Sequence, residues 1–144
     1  MEEYTLSSST CKIVNRWPPP KTCKPHEGIW CIRYHPDTDQ FGLTIMDSHT
    51  KQWRFEVRHR DKLNLVWSIP LPLTRGDAEI AVIPNGRWLI INIFGLQLAQ
   101  ISREGMEAMI DYDSELRGAV VIDEAFFIVR TKTTLDTHRL DLLP

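Results

Sequence analysis

The chain has 144 residues, of which 42% are hydrophobic and 25% are charged. This composition is typical of a folded domain and excludes a disordered chain. The net charge of −2 excludes a global attraction to nucleic acid or to an anionic membrane, and no apolar run approaches the roughly 20 residues of a transmembrane helix. We therefore predict neither a nucleic-acid partner nor a membrane partner.

The amino-terminal region is predicted to be a flexible leader followed by one strand. Residues 1–9 are acidic and rich in hydroxyl groups, without the apolar segment of a secretory signal, so we expect a cytoplasmic protein. The odd number of cysteines, three, fits free thiols in a reducing compartment. The run CKIVNRW, residues 11–17, has the pattern of a strand, and three successive prolines end it because they supply no backbone donors.

The amino-terminal cysteines also have to be considered as zinc ligands. Cys11, Cys23, His26 and Cys31 are suitable ligand types, but only Cys23 and His26 have the spacing of a structural zinc knuckle. We therefore expect no metal and no other cofactor.

Residues 28–72 are predicted to form a first unit of strands. Within residues 53–60, tryptophan, phenylalanine and valine alternate with charged residues, which predicts one buried and one solvated face. The charged residues of this region are Arg54, Glu56, Arg58, His59, Arg60 and Lys62. Pro70 and Pro72 cannot donate to a ladder, so the last strand of the unit is expected at a sheet edge.

Residues 78–113 are predicted to form a second unit around a tight hairpin. Asn85 and Gly86 readily adopt the positive φ that such a turn requires, between strands at 80–84 and 88–94. The second of these strands is almost continuously apolar, which predicts burial on both faces. Residues 107–112 are predicted to be the outer strand of the unit, with a short helix as the alternative.

A third unit, residues 117–141, completes a repeat of about forty residues. The segments HPDTDQF, IPNGRW and IDEAFF occupy the same turn in the three units. The third unit lacks a fourth strand, and residues 10–17 resemble the missing element because their apolar run also leads into prolines. We therefore predict one domain over residues 10–144, with 10–17 as a possible closing strand.

These short strands and the turns at His35-Pro36-Asp37 and Pro84-Asn85-Gly86 resemble the blades of the β-propeller superfamily, which includes WD40, NHL and YVTN-type repeats. The resemblance implies an all-β fold of antiparallel four-stranded repeats, and the alternative is a closed β-sandwich or barrel-like domain. Three blades are fewer than a ring contains. The resemblance therefore implies either part of a longer propeller or a homodimer that completes a ring.

The resemblance further implies a non-enzymatic scaffold that binds a protein partner or a peptide. The expected anchors are exposed aromatic or basic side chains at loop tips: Trp17, Arg33, His35, Arg87 and Arg103. The other tryptophans, Trp30, Trp53, Trp67 and Trp88, are expected to pack between units. The alternatives are a small-molecule-binding or enzymatic propeller with a site in its central channel, and a purely structural fragment. No nucleophile elbow, metalloprotease motif or phosphate loop occurs in the sequence, so no enzyme is predicted.

Overall fold

The computed structural model describes the backbone of Glu2–Leu6 and Cys11–Arg16 and, with side chains, residues 20, 22–73, 76–123 and 125–139. Within these residues the chain forms thirteen strands in four antiparallel sheets. The expected all-β class is confirmed, and none of the described sheets closes into a barrel or pairs into an isolated two-sheet sandwich.

The first large sheet contains four strands in sequence order: β3 (Glu27–His35), β4 (Gln40–Asp47), β5 (Trp53–His59) and β6 (Leu65–Leu71). Strand β6 is an edge strand, as the prolines predicted, and Pro70 lies opposite Arg54 of β5. The backbone nitrogen of Pro70, which carries no hydrogen, therefore faces the open side of the sheet, where no ladder hydrogen bond is needed.

The second large sheet has the order β10-β9-β8-β7. Its strands are β7 (Ala78–Ile83), β8 (Arg87–Asn92), β9 (Gln97–Ser102) and β10 (Gly105–Asp111). Asn85 and Gly86 have φ values of 66° and 72°, which confirms the predicted hairpin turn. The segment that could have been a short helix is the outer strand β10.

The third large sheet has three strands, β11 (Leu116–Val121), β12 (Phe126–Thr131) and β13 (Leu135–Arg139). Strand β2 (Cys11–Arg16) pairs with β1 (Glu2–Leu6) in a separate two-stranded sheet. The flexible leader at residues 1–9 and the closing role of residues 10–17 stay predictions. Antiparallel pairing of two nearby segments needs only a short connection, which favours the local partner.

The three large sheets pack face to face, with the second in the middle. One face of β8 carries Trp88 and Ile90, which pack with Phe55 of the first sheet in one buried cluster. The opposite face carries Leu89 and Ile91, which belong to the cluster shared with the third sheet. Burial on both faces explains the continuous apolar run of β8, since each such side chain contributes roughly 1.5–3 kcal/mol on burial.

The predicted positions of the tryptophans are confirmed in part. Trp53 and Trp88 are buried, and Trp67 packs against the same cluster as a half-buried side chain. Trp30 is 50% exposed and contacts Trp53 with 5.6 Å between ring centroids. The expectation that Trp30 packs between units is therefore wrong, because its strand turns that side chain toward solvent.

The charged face of β5 is buried, which corrects the expectation of a solvated face. The side chains of Glu56 and Arg58 are only 2% and 3% exposed. Glu56 accepts hydrogen bonds from Nε of Arg54 and Nε of Arg58, both at 2.8 Å, and Arg58 also bonds Thr22. Arg54 reaches Glu27 at 2.5 Å. The segment around residues 22–27 therefore covers this face, and the charges are tolerated because they neutralise one another.

Candidate interaction surfaces

The structure places one of the predicted anchors, His35, in the interior. Its side chain is fully buried, Nε2 lies 2.9 Å from the carbonyl oxygen of Ile83, and the ring meets Trp88 edge-on at 5.0 Å between centroids. The expectation that His35 is exposed at a loop tip is therefore wrong. Strand β3 extends through His35 and directs the ring toward the second sheet before the turn begins.

Of the other predicted anchors, Arg33 is exposed on β3, and its Nη1 donates a hydrogen bond to the carbonyl oxygen of Ile32 at 2.9 Å. Arg33 does not line the groove that contains Arg87 and Arg103. Trp17 lies outside the described residues.

Arg87 and Arg103 do come together, in a groove of about 450 Å³ between the turns of the second sheet and the edge of the first. We call it the loop-side groove. Arg87 follows the Asn85-Gly86 turn, Arg103 lies in the turn between β9 and β10, and Trp67 and Glu107 line the remaining walls. Both arginines reach one groove because the two turns lie at the same end of the sheet.

The charge of Glu107 is maintained by its neighbours. Burial acts to raise the pKa of this carboxyl, but hydrogen bonds from Ser102 and Gln100 and the charge of Arg87 lower the pKa below its ordinary value. The loop-side groove therefore presents an ionised carboxylate beside two guanidinium groups, which can form charge-assisted hydrogen bonds.

A second candidate surface is the outer face of the third sheet, which we call the open face. Val120, Phe126, Ile128 and Leu135 lie on it, and Val120 and Leu135 are 57% and 70% exposed. Val120 pairs with Ile128 across β11 and β12, which places their side chains on the same face. The sequence signal was present, since apolar residues alternate here. The exposure of this face was not predictable from the sequence, because it depends on which of the three sheets has a neighbouring sheet on that side.

A cavity of about 470 Å³ adjoins the open face, and we call it the basic pocket. Arg117, Arg130 and Lys132 line it together with Leu135. Glu115 pairs with Arg117 at 3.1 Å. The pocket therefore combines an excess of positive charge with an apolar wall.

Metal-binding groups, a reactive thiol or a membrane-spanning helix would also point to a function in the described part of the chain. No group of three histidine, cysteine, aspartate or glutamate side chains converges there in a way that could hold a metal ion. Burial raises the pKa of the Cys23 thiol, and the nearby Glu56 carboxylate adds to this increase, which disfavours the reactive thiolate. The described residues also include no helix long and apolar enough to cross a bilayer.

No protein-family model matches the sequence, and no curated protein matches it significantly. Several solved structures nevertheless share its fold. A protein of unknown function from Bacteroides caccae is 10% identical with a TM-score of 0.67, and the similarity covers 93% of this chain and 51% of that one. Hydrazine synthase of Kuenenia stuttgartiensis is 13% identical with a TM-score of 0.65, over 90% of this chain and 37% of that one.

The β-propeller domain of Cps50 (Swd1) from Myceliophthora thermophila is 9% identical with a TM-score of 0.55, over 78% of this chain and 38% of that domain. The chain thus spans between about a third and half of the length of the structures that it matches. At sequence identities this low, a structural similarity shows a shared fold and nothing about function. Together with the three face-packed antiparallel sheets, these likenesses show a β-propeller fold, of which the described residues form three consecutive blades.

Proposed function

We propose that this chain is a non-enzymatic β-propeller module that binds a protein or peptide partner through the open face of its third blade. Propeller folds serve both enzymes and scaffolds, and one of the similar structures is an enzyme, so the fold alone does not assign the function. Support comes instead from the kind of surface that the molecule presents.

The observation that carries the proposal is the difference between equivalent faces of the three blades. The first blade directs Phe55 onto the second, and the second directs Leu89 and Ile91 onto the third. The same side of the third blade leaves Val120 and Leu135 in solvent. Contiguous exposed apolar surface of this kind is typical of protein-binding sites.

The loop-side groove is proposed as a secondary contact. Arg87 and Arg103 flank it, and arginine beside an aromatic such as Trp67 is a combination enriched at binding hot spots. A homodimer that completes a ring would use the open face as well. Light scattering distinguishes this arrangement, because it would yield twice the monomer mass at all working concentrations.

The proposal is tested with Val120→Asp, which places a charge on the β11 side of the open face. The matched control is Leu65→Asp, since Leu65 is an exposed leucine on the edge strand β6, 43% exposed and far from the open face. Proteins retained by the immobilised wild-type chain are identified by mass spectrometry, purified and titrated by calorimetry.

We expect Val120→Asp to weaken binding of such a partner at least tenfold, about 1.4 kcal/mol, while Leu65→Asp binds as wild type. Both substitutions lie at exposed positions, so thermal unfolding should remain close to that of the wild type. Equal affinity of the wild type and Val120→Asp for every purified partner would contradict the proposal.

A further inference from the structure

We infer that the partner of the open face is an extended, acidic segment of another protein that adds to β13 as a fourth strand. The inference rests on the proposed function and specifies the chemistry of the partner. Three features of the third blade support it: an open strand edge, the residues beside that edge, and the positive charge of the basic pocket.

The open edge is the first of these features. In the first two blades the third strand is paired on its outer side, β5 with β6 and β9 with β10. In the described residues β13 holds the equivalent position, and its one partner is β12. An extended segment could therefore occupy the place that β6 and β10 occupy in their own sheets.

The backbone of β13 is oriented for such an addition. The amide of Thr131 donates to the carbonyl oxygen of Thr134 at 3.0 Å, which sets the alternation of the antiparallel ladder. It follows that the backbone groups of Leu135 and Thr137 point away from β12. A segment that lies antiparallel to β13 would exchange hydrogen bonds with both residues.

The side chains beside the edge of β13 determine which residue types the added segment should contain. Leu135 lies opposite Arg130, and Thr137 lies opposite Ile128, so apolar and basic residues adjoin on the open face. Every second side chain of the added strand would lie on this face. Apolar residues there would extend the row of Ile128 and Thr137, and a carboxylate would reach Arg130.

The charge around the edge selects an acidic segment. Arg130 of β12 and Lys132 of the turn between β12 and β13 line the basic pocket beside Leu135, the first residue of β13. Arg117 lies on β11 at the other edge of the sheet and pairs with Glu115. This concentration of positive charge occurs in a chain whose net charge is −2. Complementary carboxylates would speed association and fix the register of the added strand, with an affinity that falls as salt rises.

The same charges disfavour a second copy of this chain on the open face. Two copies related by a two-fold axis through that face would bring Arg130 of each near the arginines of the other. Like charges placed together at an interface oppose association. An acidic partner meets no such repulsion.

The test uses fluorescein-labelled peptides and anisotropy titration of the full chain. The probe is a nonapeptide with valine and aspartate in turn at its odd positions and threonine at its even positions, so that both valine and aspartate lie on the open face. The charge control has lysine in place of each aspartate. A third peptide keeps the acidic sequence but carries N-methyl groups on alternate residues, which removes the donors needed for strand pairing. The chain variants are Arg130→Glu and, as a matched control, Lys62→Glu in the exposed turn between β5 and β6.

We expect the valine–aspartate peptide to bind the wild type and Lys62→Glu equally and to lose at least tenfold in affinity for Arg130→Glu. The lysine peptide and the N-methylated peptide should each bind at least tenfold more weakly. Absence of binding by the acidic peptide at millimolar concentration, equal binding of the lysine peptide, or no effect of Arg130→Glu would each overturn the inference.

These outcomes are separate from those of the Val120→Asp experiment. If Val120→Asp lost partner binding while the lysine peptide bound as well as the acidic one, the proposed function would stand and the acidic chemistry of the partner would be rejected. An unaffected Val120→Asp would reject the proposed function itself.

Discussion

Replacement of Gly42 by alanine tests the packing of the first blade on the second. Gly42 lies in β4 and faces the second sheet, and a Cβ atom built there would be 2.6 Å from Cζ3 of Trp88 and 2.7 Å from Cζ of Phe55. Carbon atoms in contact are about 3.5–4.0 Å apart, so the rings would have to retreat by about 1 Å. Both rings are fully buried and have no free volume to enter.

The expected magnitude follows from two opposing effects. Overpacking of this kind costs about 1–3 kcal/mol, while the loss of glycine freedom in the unfolded chain stabilises by about 0.4–1 kcal/mol. The net loss is therefore about 1–2 kcal/mol, or roughly 2–8 °C in Tm for a domain of this size. Circular dichroism during thermal and urea unfolding measures both quantities.

Gly28→Ala is the matched control, because its Cβ would meet its nearest neighbour, Nε1 of Trp30, at an ordinary 3.7 Å. We expect the Tm of this variant to equal or slightly exceed that of the wild type. A Tm for Gly42→Ala as high as that of Gly28→Ala would refute the close packing of the two blades.

Three further predictions concern polar groups. Glu56→Gln should lower the free energy of unfolding by about 3 kcal/mol in urea titrations, because it leaves the buried Arg58 guanidinium without a full counter-charge. Hydrogen bonds from the backbone amides of Thr50 and His49 lower the pKa of Asp47 to about 2, so its stabilisation is present above pH ~4 and is lost as pH falls toward 2. Asp47→Asn should accordingly show a smaller decrease of Tm over that range. Burial raises the pKa of Tyr112 to about 12, so alkaline titration at 295 nm should lose its latest-ionising component in Tyr112→Phe.

The hairpins of the first two blades could be predicted from sequence because their signals are local. Asn85-Gly86 specifies a tight turn by backbone preference, and the prolines of β6 specify an edge by the absence of donors. The continuous apolar run of β8 indicated a strand between two sheets, and Trp88 and Leu89 on its opposite faces confirm this position.

The candidate sites were less predictable because they depend on contacts between distant segments. Alternation along β5 identified the face that carries Glu56 and Arg58, but its burial depends on the segment around Thr22, more than thirty residues earlier. His35 is buried for a similar reason, since its hydrogen-bond partner is the carbonyl of Ile83, 48 residues away. Arg130 and Leu135 were not predicted as site residues, although their alternation with apolar neighbours was visible.

The buried charges of the first blade make the two ends of the molecule chemically different. At one end Arg54, Glu56 and Arg58 form ion pairs beneath residues 22–27, whereas at the other end Val120 and Leu135 are exposed beside Arg130. Repeated addition of identical units would require each end to fit the other, which is how heterologous contacts produce fibres. The face of the first blade that is covered by residues 22–27 offers no apolar surface matching the open face, so the contact proposed for the open face would not be repeated at the first blade.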